Sequence, residues 1–172
     1  MREFQTETLP APLRRDITLP QLPQHVRKAF VYIGMRRSGK TWALYQRMVE
    51  LMAQGISKTQ LLYINFEDDR LNGVALSDLQ SVLEAYWESY PEQINNKKLF
   101  FFFDEIAEID GWESFIRRLL EKEHMQIYIT GSSAKMLSKE IATSLRGRTI
   151  TREIFPMSFQ ECRHGQRVEK NK

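Results

Sequence analysis

Short apolar runs alternate with longer segments of helical spacing along the 172 residues of this chain. The runs are rich in β-branched and aromatic residues, which is typical of strands buried inside a sheet. They predict five strands, at residues 29–33, 60–66, 99–103, 126–130 and 149–154. The intervening segments predict four helices, at residues 41–54, 78–90, 111–123 and 133–143. Such alternation predicts an α/β fold with a parallel sheet, right-handed crossovers and helices on both faces.

Capping and turn-forming residues indicate where these elements begin and end. Residues 77–80 have the Ser-x-x-Gln spacing of a capping box, which predicts the start of the second helix. Gly55 and Pro91 follow the first and second helices as terminators. The first 28 residues carry four prolines and little periodicity, which predicts an extended strap across the domain surface. Its apolar residues would keep it docked: Leu9, Leu13, Ile17, Leu19 and Leu22.

Composition and charge predict a single-domain cytoplasmic protein without a membrane partner. No segment approaches the roughly 18 apolar residues of a membrane helix, and the N-terminus lacks the layout of a signal peptide. Cys162 is the single cysteine, so an internal disulfide is excluded, and the three scattered histidines form no metal-ligand cluster. The net charge of +3 divides into +2 for residues 1–28, −3 for residues 29–145 and +4 for residues 146–172. Basic ends are compatible with nucleic acid, but a solvated terminus is the commoner explanation.

Residues 34–41 read Gly-Met-Arg-Arg-Ser-Gly-Lys-Thr, which is the phosphate-binding loop (Walker A) pattern. A strand is predicted directly before it and a helix directly after it, as the pattern requires. The glycines let backbone N–H groups surround phosphate oxygens, Lys40 would reach the β and γ phosphates, and Thr41 would bind Mg²⁺. Spacing leaves open whether Arg36 and Arg37 face the phosphates or solvent. The predicted nucleotide-binding residues are Gly34, Arg36, Arg37, Ser38, Gly39, Lys40, Thr41 and Trp42.

Asp104 and Glu105 come directly after the wholly apolar third strand. Because burying a charge without a partner is costly, two carboxylates at this point indicate a ligand, as in a Walker B motif. Asp104 would hold Mg²⁺, directly or through water, and Glu105 would accept a proton from, or orient, the water that attacks the γ-phosphate. A kinase gains nothing from an activated water, and no Asn/Thr-Lys-x-Asp guanine-reading element follows any predicted strand. The pair therefore predicts hydrolysis of ATP.

The fourth strand ends in the polar stretch of residues 130–133, Thr-Gly-Ser-Ser. We predict that Ser132 senses the γ-phosphate or the attacking water, whereas Ser133 is at least as well explained as the cap of the next helix. Asn65, at the end of the second strand, would either hydrogen-bond Glu105 and hold it back or form a plain turn.

Two arginines, Arg146 and Arg148, precede the fifth strand. One of them would point away from its own phosphate loop toward a neighbouring subunit and neutralise charge that develops on the γ-phosphate, and the spacing leaves open which. A solvated helix end with a favourable dipole interaction explains these arginines equally well.

Six motifs together resemble the archaeal-type AAA+ ATPases of bacteria and archaea: GMRRSGKT, LFFFFDEI, IDGWESFIRRLLE, IYITGSSAKML, LRGR and PMSFQE. The resemblance covers residues 25–161. It implies a P-loop domain of AAA+ type with a five-stranded parallel sheet in the order 5-1-4-3-2, and it implies ATP and Mg²⁺ as cofactors. It also implies the site roles given above for Lys40, Thr41, Asp104, Glu105, Ser132 and Arg148.

In that family the segment resembling residues 156–161 leads into a helical lid and commonly a C-terminal domain, whereas this chain ends soon afterwards. We divide the chain into a strap (1–28), a nucleotide-binding core (29–155) and the start of a linker (156–172). We expect weak ATP binding and low basal hydrolysis from the chain alone. The predicted function is an ATPase core domain that couples binding and hydrolysis of Mg-ATP to an unidentified partner, for which DNA and protein are both open. The alternative is a truncated nucleotide-sensing module that associates with full-length relatives and regulates them.

Overall fold

The computed structural model describes most of the chain from residue 26 to residue 161 and parts of the segment before it. The described residues are 2–6, 8–10, 14–17, 19–20, 26–94, 96, 98–122, 125–132, 136, 145, 147–159 and 161. Several expectations lie outside these residues: the helix at 133–143 apart from Met136, the capping role of Ser133, the arginine Arg146, and the strap residues Leu13 and Leu22.

Five parallel strands form one sheet in the described part of the chain. They are β1 (Ala29–Gly34), β2 (Leu61–Asn65), β3 (Leu99–Asp104), β4 (Met125–Ser132) and β5 (Thr149–Glu153). The order across the sheet is β2-β3-β4-β1-β5, which confirms the predicted order 5-1-4-3-2. β4 is hydrogen-bonded to β1 on one side and to β3 on the other. The carboxyl ends of all five strands therefore meet at one edge of the sheet, where ligands bind in open α/β folds.

Helices cover both faces of this sheet. The described helices are α1 (Arg2–Thr6), α2 (Lys40–Ala53), α3 (Asp78–Ser89) and α4 (Trp112–Lys122). Successive residues of β1 point to opposite faces: Phe30 packs in the same cluster as α2, whereas Val31 packs in the cluster that contains α3 and α4. The predicted buried side of α4 is confirmed for Trp112, Phe115, Ile116, Leu119 and Leu120. Among the described residues, no helix is both long enough and apolar enough to cross a membrane.

The start of α3 differs from the sequence prediction. Ser77 has helical backbone angles, φ −59° and ψ −32°, and its side chain makes no capping hydrogen bond. The predicted capping box is therefore wrong, because a cap residue needs non-helical backbone angles. The Asp78 carboxylate instead accepts a hydrogen bond from the Ala75 backbone N–H at 2.8 Å. A capping box that sequence reasoning missed forms between Ser57 and Gln60, directly ahead of β2.

The N-terminal strap opens with the short helix α1, where an extended chain was expected. The Phe4 ring of α1 packs against Tyr63 of β2, with the ring centroids 5.5 Å apart. The Gln5 side-chain amide donates to the Leu61 carbonyl at 2.9 Å. Other apolar strap residues pack on the α2 side of the sheet, namely Leu9, Ile17 and Leu19. Phe4, Leu9, Ile17 and Leu19 of the strap thus lie on the same face of the sheet as α2.

Phe102→Ala should lower the free energy of unfolding by about 3–5 kcal/mol, because it leaves a cavity in a packed core. Phe102 is fully buried and stacks on Tyr128 of β4, with ring centroids 4.7 Å apart and planes 9° from parallel. Urea denaturation followed by circular dichroism measures the loss. Phe155→Ala, at a position that is 63 % exposed, is the control and should change stability by less than about 0.5 kcal/mol. Equal losses for the two variants would contradict the packing of Phe102.

Candidate functional site

The loop between β1 and α2, residues 34–41, owes its shape to its two glycines. A Cβ atom on Gly34 would lie 2.4 Å from the Ile154 carbonyl oxygen and 2.7 Å from Ser38 Oγ, so a larger residue does not fit. Gly39 has φ +94°, in the left-handed region that favours glycine. The loop therefore keeps the tight curvature that an anion-binding concavity needs.

Within the described part of the chain, some polar groups of this loop lack a side-chain partner, although the Ser38 backbone N–H donates to the Met35 carbonyl at 3.2 Å. Gly39 precedes α2 and has no side chain, so no side-chain acceptor caps the first N–H groups of that helix. Ser38 Oγ is buried and has no hydrogen-bond partner among the described residues. An uncapped helix N-terminus beside a buried hydroxyl suits a phosphate group. The residues present thus fit the nucleotide that the loop motif predicts.

Lys40 lies in the first turn of α2 with only 6 % of its side chain exposed. Its Nζ atom is 3.0 Å from Glu105 Oε1. The same atom lies 3.3 Å from the Met35 carbonyl oxygen and 3.5 Å from that of Gly34. A carboxylate from the end of β3 thus holds the ammonium group beside the loop. A phosphate group that enters the loop would compete with this carboxylate for Lys40.

Asp104, the last residue of β3, is only 1 % exposed and is held by two hydroxyl groups. The Tyr63 hydroxyl donates to Asp104 Oδ2 at 2.9 Å, and the Thr130 hydroxyl donates to Oδ1. Burial, and then the charge of Asp104, raises the pKa of Tyr63 far above its ordinary value, so Tyr63 remains a donor. The Tyr45 hydroxyl donates in turn to Tyr63 at 3.3 Å. Because these hydroxyls are neutral, the negative charge of Asp104 stays available to a cation.

Glu105 begins the turn after β3 with φ +52° and ψ +40°, which is uncommon for a residue other than glycine. Its backbone N–H donates to Thr130 Oγ1 at 2.8 Å. The fully buried Thr130 hydroxyl therefore serves both acidic residues, because it accepts from the Glu105 backbone and donates to the Asp104 carboxylate. This hydroxyl fixes the turn from which the Glu105 side chain reaches Lys40.

Sequence reasoning missed the part that Tyr63 and Thr130 take in holding the acidic pair. Each lies two residues before the end of its strand, on a strand that borders β3. The sequence signal that would have identified them is a hydroxyl-bearing residue two positions before the end of a strand, where the neighbouring strand ends in an acidic residue. The sequence expectation for residues 130–133 was contact with phosphate or water, whereas the Thr130 hydroxyl bonds to the Asp104 carboxylate and to the Glu105 backbone N–H.

Ser132 and Asn65 end strands at the same edge of the sheet. Ser132 is the register partner of Gly34, so the predicted sensor lies beside the start of the phosphate loop. Asn65 is the register partner of Asp104, and its Oδ1 accepts from the Glu67 backbone N–H at 3.0 Å. Of the two roles considered for Asn65, the structure shows the turn.

Three of the predicted nucleotide contacts face solvent. The Arg36 side chain is 88 % exposed and lies 3.8 Å from Glu67 in a surface ion pair. Arg37 is exposed with φ +63°, and Trp42 is 48 % exposed. Thr41 is half-buried next to Lys40. The contact of these residues with nucleotide stays a prediction.

Arg148 lies directly before β5, at the edge of the sheet opposite to the phosphate loop. Its Nη2 atom is 2.9 Å from Glu121 Oε1, and both side chains are about half exposed, at 41 % and 51 %. An exposed ion pair contributes only about 0–1 kcal/mol, so the guanidinium exchanges partners readily. Arg148 thus lies away from its own phosphate loop, and its role as an arginine finger stays a prediction.

Residues 26–163 match a family model described as an AAA domain. The chain belongs to this AAA domain family. It is 43 % identical over 149 residues to an uncharacterized protein of Methanocaldococcus jannaschii, a match that covers 87 % of this chain and 30 % of the relative. It is 36 % identical over 161 residues to an uncharacterized protein of Haemophilus influenzae, which covers 92 % of this chain and 39 % of that relative. The chain thus spans about a third of the length of the curated relatives it matches.

Among solved structures, this AAA domain is similar to C. elegans PCH-2, with a TM-score of 0.51 and 14 % sequence identity. The match covers 83 % of this chain and 39 % of that chain. At this identity the likeness shows the fold alone. It agrees with the predicted fold class, an α/β P-loop domain of AAA+ type, which the family and the strand order confirm.

The AAA domain offers a divalent cation only part of a coordination shell. The part of the chain that the structure describes holds no group of three or more His, Cys, Asp or Glu side chains arranged for a metal. Mg²⁺ is usually bound through one or two protein oxygens together with phosphate oxygens and waters. The hydroxyl of Thr41 and the carboxylate of Asp104 therefore fit a Mg²⁺ ion that arrives with a nucleotide.

Thr130→Val should lower the free energy of unfolding of this AAA domain by about 2–4 kcal/mol, because it leaves the Glu105 N–H and one Asp104 oxygen without their partner. Thr130→Ser keeps the hydroxyl and should lose about 1 kcal/mol, the contribution of one buried methyl group. Urea denaturation of both variants beside the wild type measures the difference. A Thr130→Val variant as stable as Thr130→Ser would show that the shared hydroxyl contributes nothing.

Proposed function

We propose that this AAA domain binds ATP with Mg²⁺ at residues 34–41, hydrolyses it, and couples that cycle to a partner. The observation that carries the proposal is the 3.0 Å ion pair between Lys40 and Glu105. It brings the proposed phosphate-binding cation and the proposed base together at the carboxyl edge of the sheet. Asp104 comes from the same strand end as Glu105, so a second carboxylate lies next to the pair.

Each of these groups has a distinct proposed role in hydrolysis. The backbone N–H groups of the loop and the Lys40 ammonium hold the β and γ phosphates, and Ser132 contacts the γ-phosphate. Thr41 and Asp104 would hold Mg²⁺, which when bound would supply positive charge to the phosphate oxygens. Glu105 accepts a proton from water as the water oxygen bonds to the γ-phosphorus and the bond to the bridging oxygen of ADP breaks.

The ion pair also leads us to expect a slow basal cycle. Before nucleotide enters, Glu105 is paired with Lys40, the cation proposed to bind the phosphates. This ion pair has to open before Glu105 can accept a proton from water or Lys40 can bind phosphate. Both side chains are largely buried, at 6 % and 13 % exposed, and Coulomb attraction is stronger there than at the surface. The same observation favours the second candidate, a nucleotide-sensing module that binds ATP without turnover.

Lys40→Ala should weaken binding of ATP in the presence of Mg²⁺ by about tenfold to a hundredfold. The change removes a charged hydrogen-bond donor and leaves the Glu105 carboxylate unpaired where the phosphates would lie. Isothermal titration measures the dissociation constant. Lys98→Ala, an exposed lysine directly before β3 at the opposite edge of the sheet, is the matched control and should bind as the wild type does. Equal binding heats for the wild type and Lys40→Ala would contradict the proposed binding of ATP at Lys40.

Glu105→Gln should slow hydrolysis by about 10²–10⁴-fold while ATP still binds, because an amide does not accept a proton from water. Loss of the carboxylate also frees Lys40, so the dissociation constant for ATP should stay the same or fall. Phosphate release at saturating ATP measures the rate. Glu108→Gln, an exposed neighbouring carboxylate, is the control.

Two outcomes of this assay would change the conclusion. Hydrolysis by Glu105→Gln at the wild-type rate would show that Glu105 is not the base. Tight ATP binding by the wild type without any phosphate release would favour the sensing module over the ATPase.

A further inference from the structure

Arg15 of the strap is buried against the phosphate loop, with only 8 % of its surface exposed. Its guanidinium donates from Nη1 to the Ser38 carbonyl at 2.9 Å and from Nη2 to the Phe155 carbonyl at 2.6 Å. Its Nε atom lies 3.3 Å from Glu161 Oε1. One side chain thus joins the strap, the phosphate loop, the chain that leaves β5 and the PMSFQE motif.

The backbone of Arg15 is anchored separately from its side chain. The Arg15 N–H donates to Gln46 Oε1 at 2.8 Å, and the Arg15 carbonyl accepts from Gln46 Nε2 at 3.0 Å. Gln46 is a buried residue of α2, the helix into which the phosphate loop leads. The guanidinium therefore reaches the loop from a position that is fixed relative to α2.

Glu161 supplies the negative charge that a buried guanidinium requires. Its Oε2 accepts the Ser158 backbone N–H at 2.7 Å, and its own N–H donates to Ser158 Oγ at 3.2 Å, the reciprocal bonds of a capping box. The Ser158 backbone N–H, ahead of the Ser158 hydroxyl and Arg15, outweighs partial burial and holds the pKa of Glu161 below its ordinary value. The carboxylate is therefore ionised at neutral pH.

The hydrogen bond from Arg15 sets the orientation of the peptide between Ser38 and Gly39. In a planar trans peptide the C=O and the following N–H point in opposite directions. Because the Ser38 carbonyl points to Arg15, the Gly39 N–H points away from it. A Cβ atom on Gly39 would lie 3.1 Å from Arg15 Nη1, so the guanidinium lies directly against this peptide. The bond from Arg15 thus favours the peptide orientation in which the Gly39 N–H faces away from the guanidinium.

We propose that Arg15 is a positioning residue for the nucleotide, which turns the Gly39 N–H toward the phosphates and couples the loop to the reciprocal hydrogen bonds between Ser158 and Glu161. This inference rests on the proposed binding of ATP at the loop. A phosphate bound by the Gly39 N–H and a guanidinium bound to the Ser38 carbonyl favour the same peptide orientation, so each stabilises the other. By linkage, loss of the Arg15 contacts weakens ATP binding by the same factor by which ATP strengthens those contacts.

Arg15→Gln removes the charge and the guanidinium fork and should raise the dissociation constant for ATP with Mg²⁺ by about tenfold. Arg15→Lys keeps the charge but not the planar guanidinium that donates to two carbonyls. It should therefore bind ATP more tightly than Arg15→Gln but less tightly than the wild type. Glu161→Gln leaves Arg15 in place, removes its charge partner, and should weaken binding by about threefold. Isothermal titration measures all three, and circular dichroism establishes that each variant is folded.

Hydrogen exchange separates positioning from general stabilisation. In the wild type, saturating ATP with Mg²⁺ should slow exchange of the Glu161 backbone N–H, which donates to Ser158 Oγ. In Arg15→Gln this slowing should be absent. Phe102→Leu, a core variant away from the loop that lowers stability, should keep both the wild-type dissociation constant and the slowing.

The outcomes distinguish this inference from the proposed function. If the wild type binds no ATP, the proposed function fails and the inference fails with it. If Arg15→Gln binds ATP as the wild type does and ATP slows exchange at Glu161 in both, the inference is wrong while the proposed function stands. If Arg15→Gln does not fold, Glu161→Gln decides, and unchanged affinity together with unchanged slowing would overturn the coupling.

Discussion

The hydrogen bonding of β4 between β1 and β3 is the constraint on which the site depends. Its register places Ser132 opposite Gly34 and Ile129 opposite Phe103, so the loop that follows β1 and the carboxylates at the end of β3 lie on either side of β4. Neighbouring strands are about 4.8 Å apart, so β1 and β3 are separated by roughly 10 Å. Two long side chains span that gap, and the ion pair between Lys40 and Glu105 follows from it.

Burial determines how each charge near this edge is held. Asp104 is surrounded by neutral hydroxyl donors, Lys40 is paired with Glu105, and Arg15 is paired with Glu161. Each arrangement satisfies a buried charge that would otherwise be costly. The hydroxyl of Ser38, in contrast, has no partner within the described part of the chain. The polar group left unsatisfied is therefore in the loop itself, where an incoming phosphate would supply the missing acceptor.

Much of the fold follows from local sequence pattern. All five strands lie within two residues of their predicted bounds. For β1, β3 and β4 the reason is that a buried strand needs apolar side chains on both faces, whereas the polar strand β5 is half-buried to exposed. The order of the strands came from the family resemblance, since apolar periodicity shows which residues are buried and not which strands are neighbours. The capping box at Ser77 failed for a related reason. A Ser-x-x-Gln spacing gives the side chains that can cap a helix, but the backbone angles at Ser77 are set by the turn before it.

The sequence by itself determined the chemistry that depends on consecutive residues: a glycine-rich loop between a strand and a helix, and two carboxylates at the end of an apolar strand. Only the tertiary structure decided which groups meet. It pairs Glu105 with Lys40 while Asn65 forms a turn, places the Thr130 hydroxyl on both acidic residues, and joins Arg15 to Glu161 across nearly the whole chain. These contacts connect residues far apart in sequence, and a buried polar group bonds to whichever partner the strand register brings within reach.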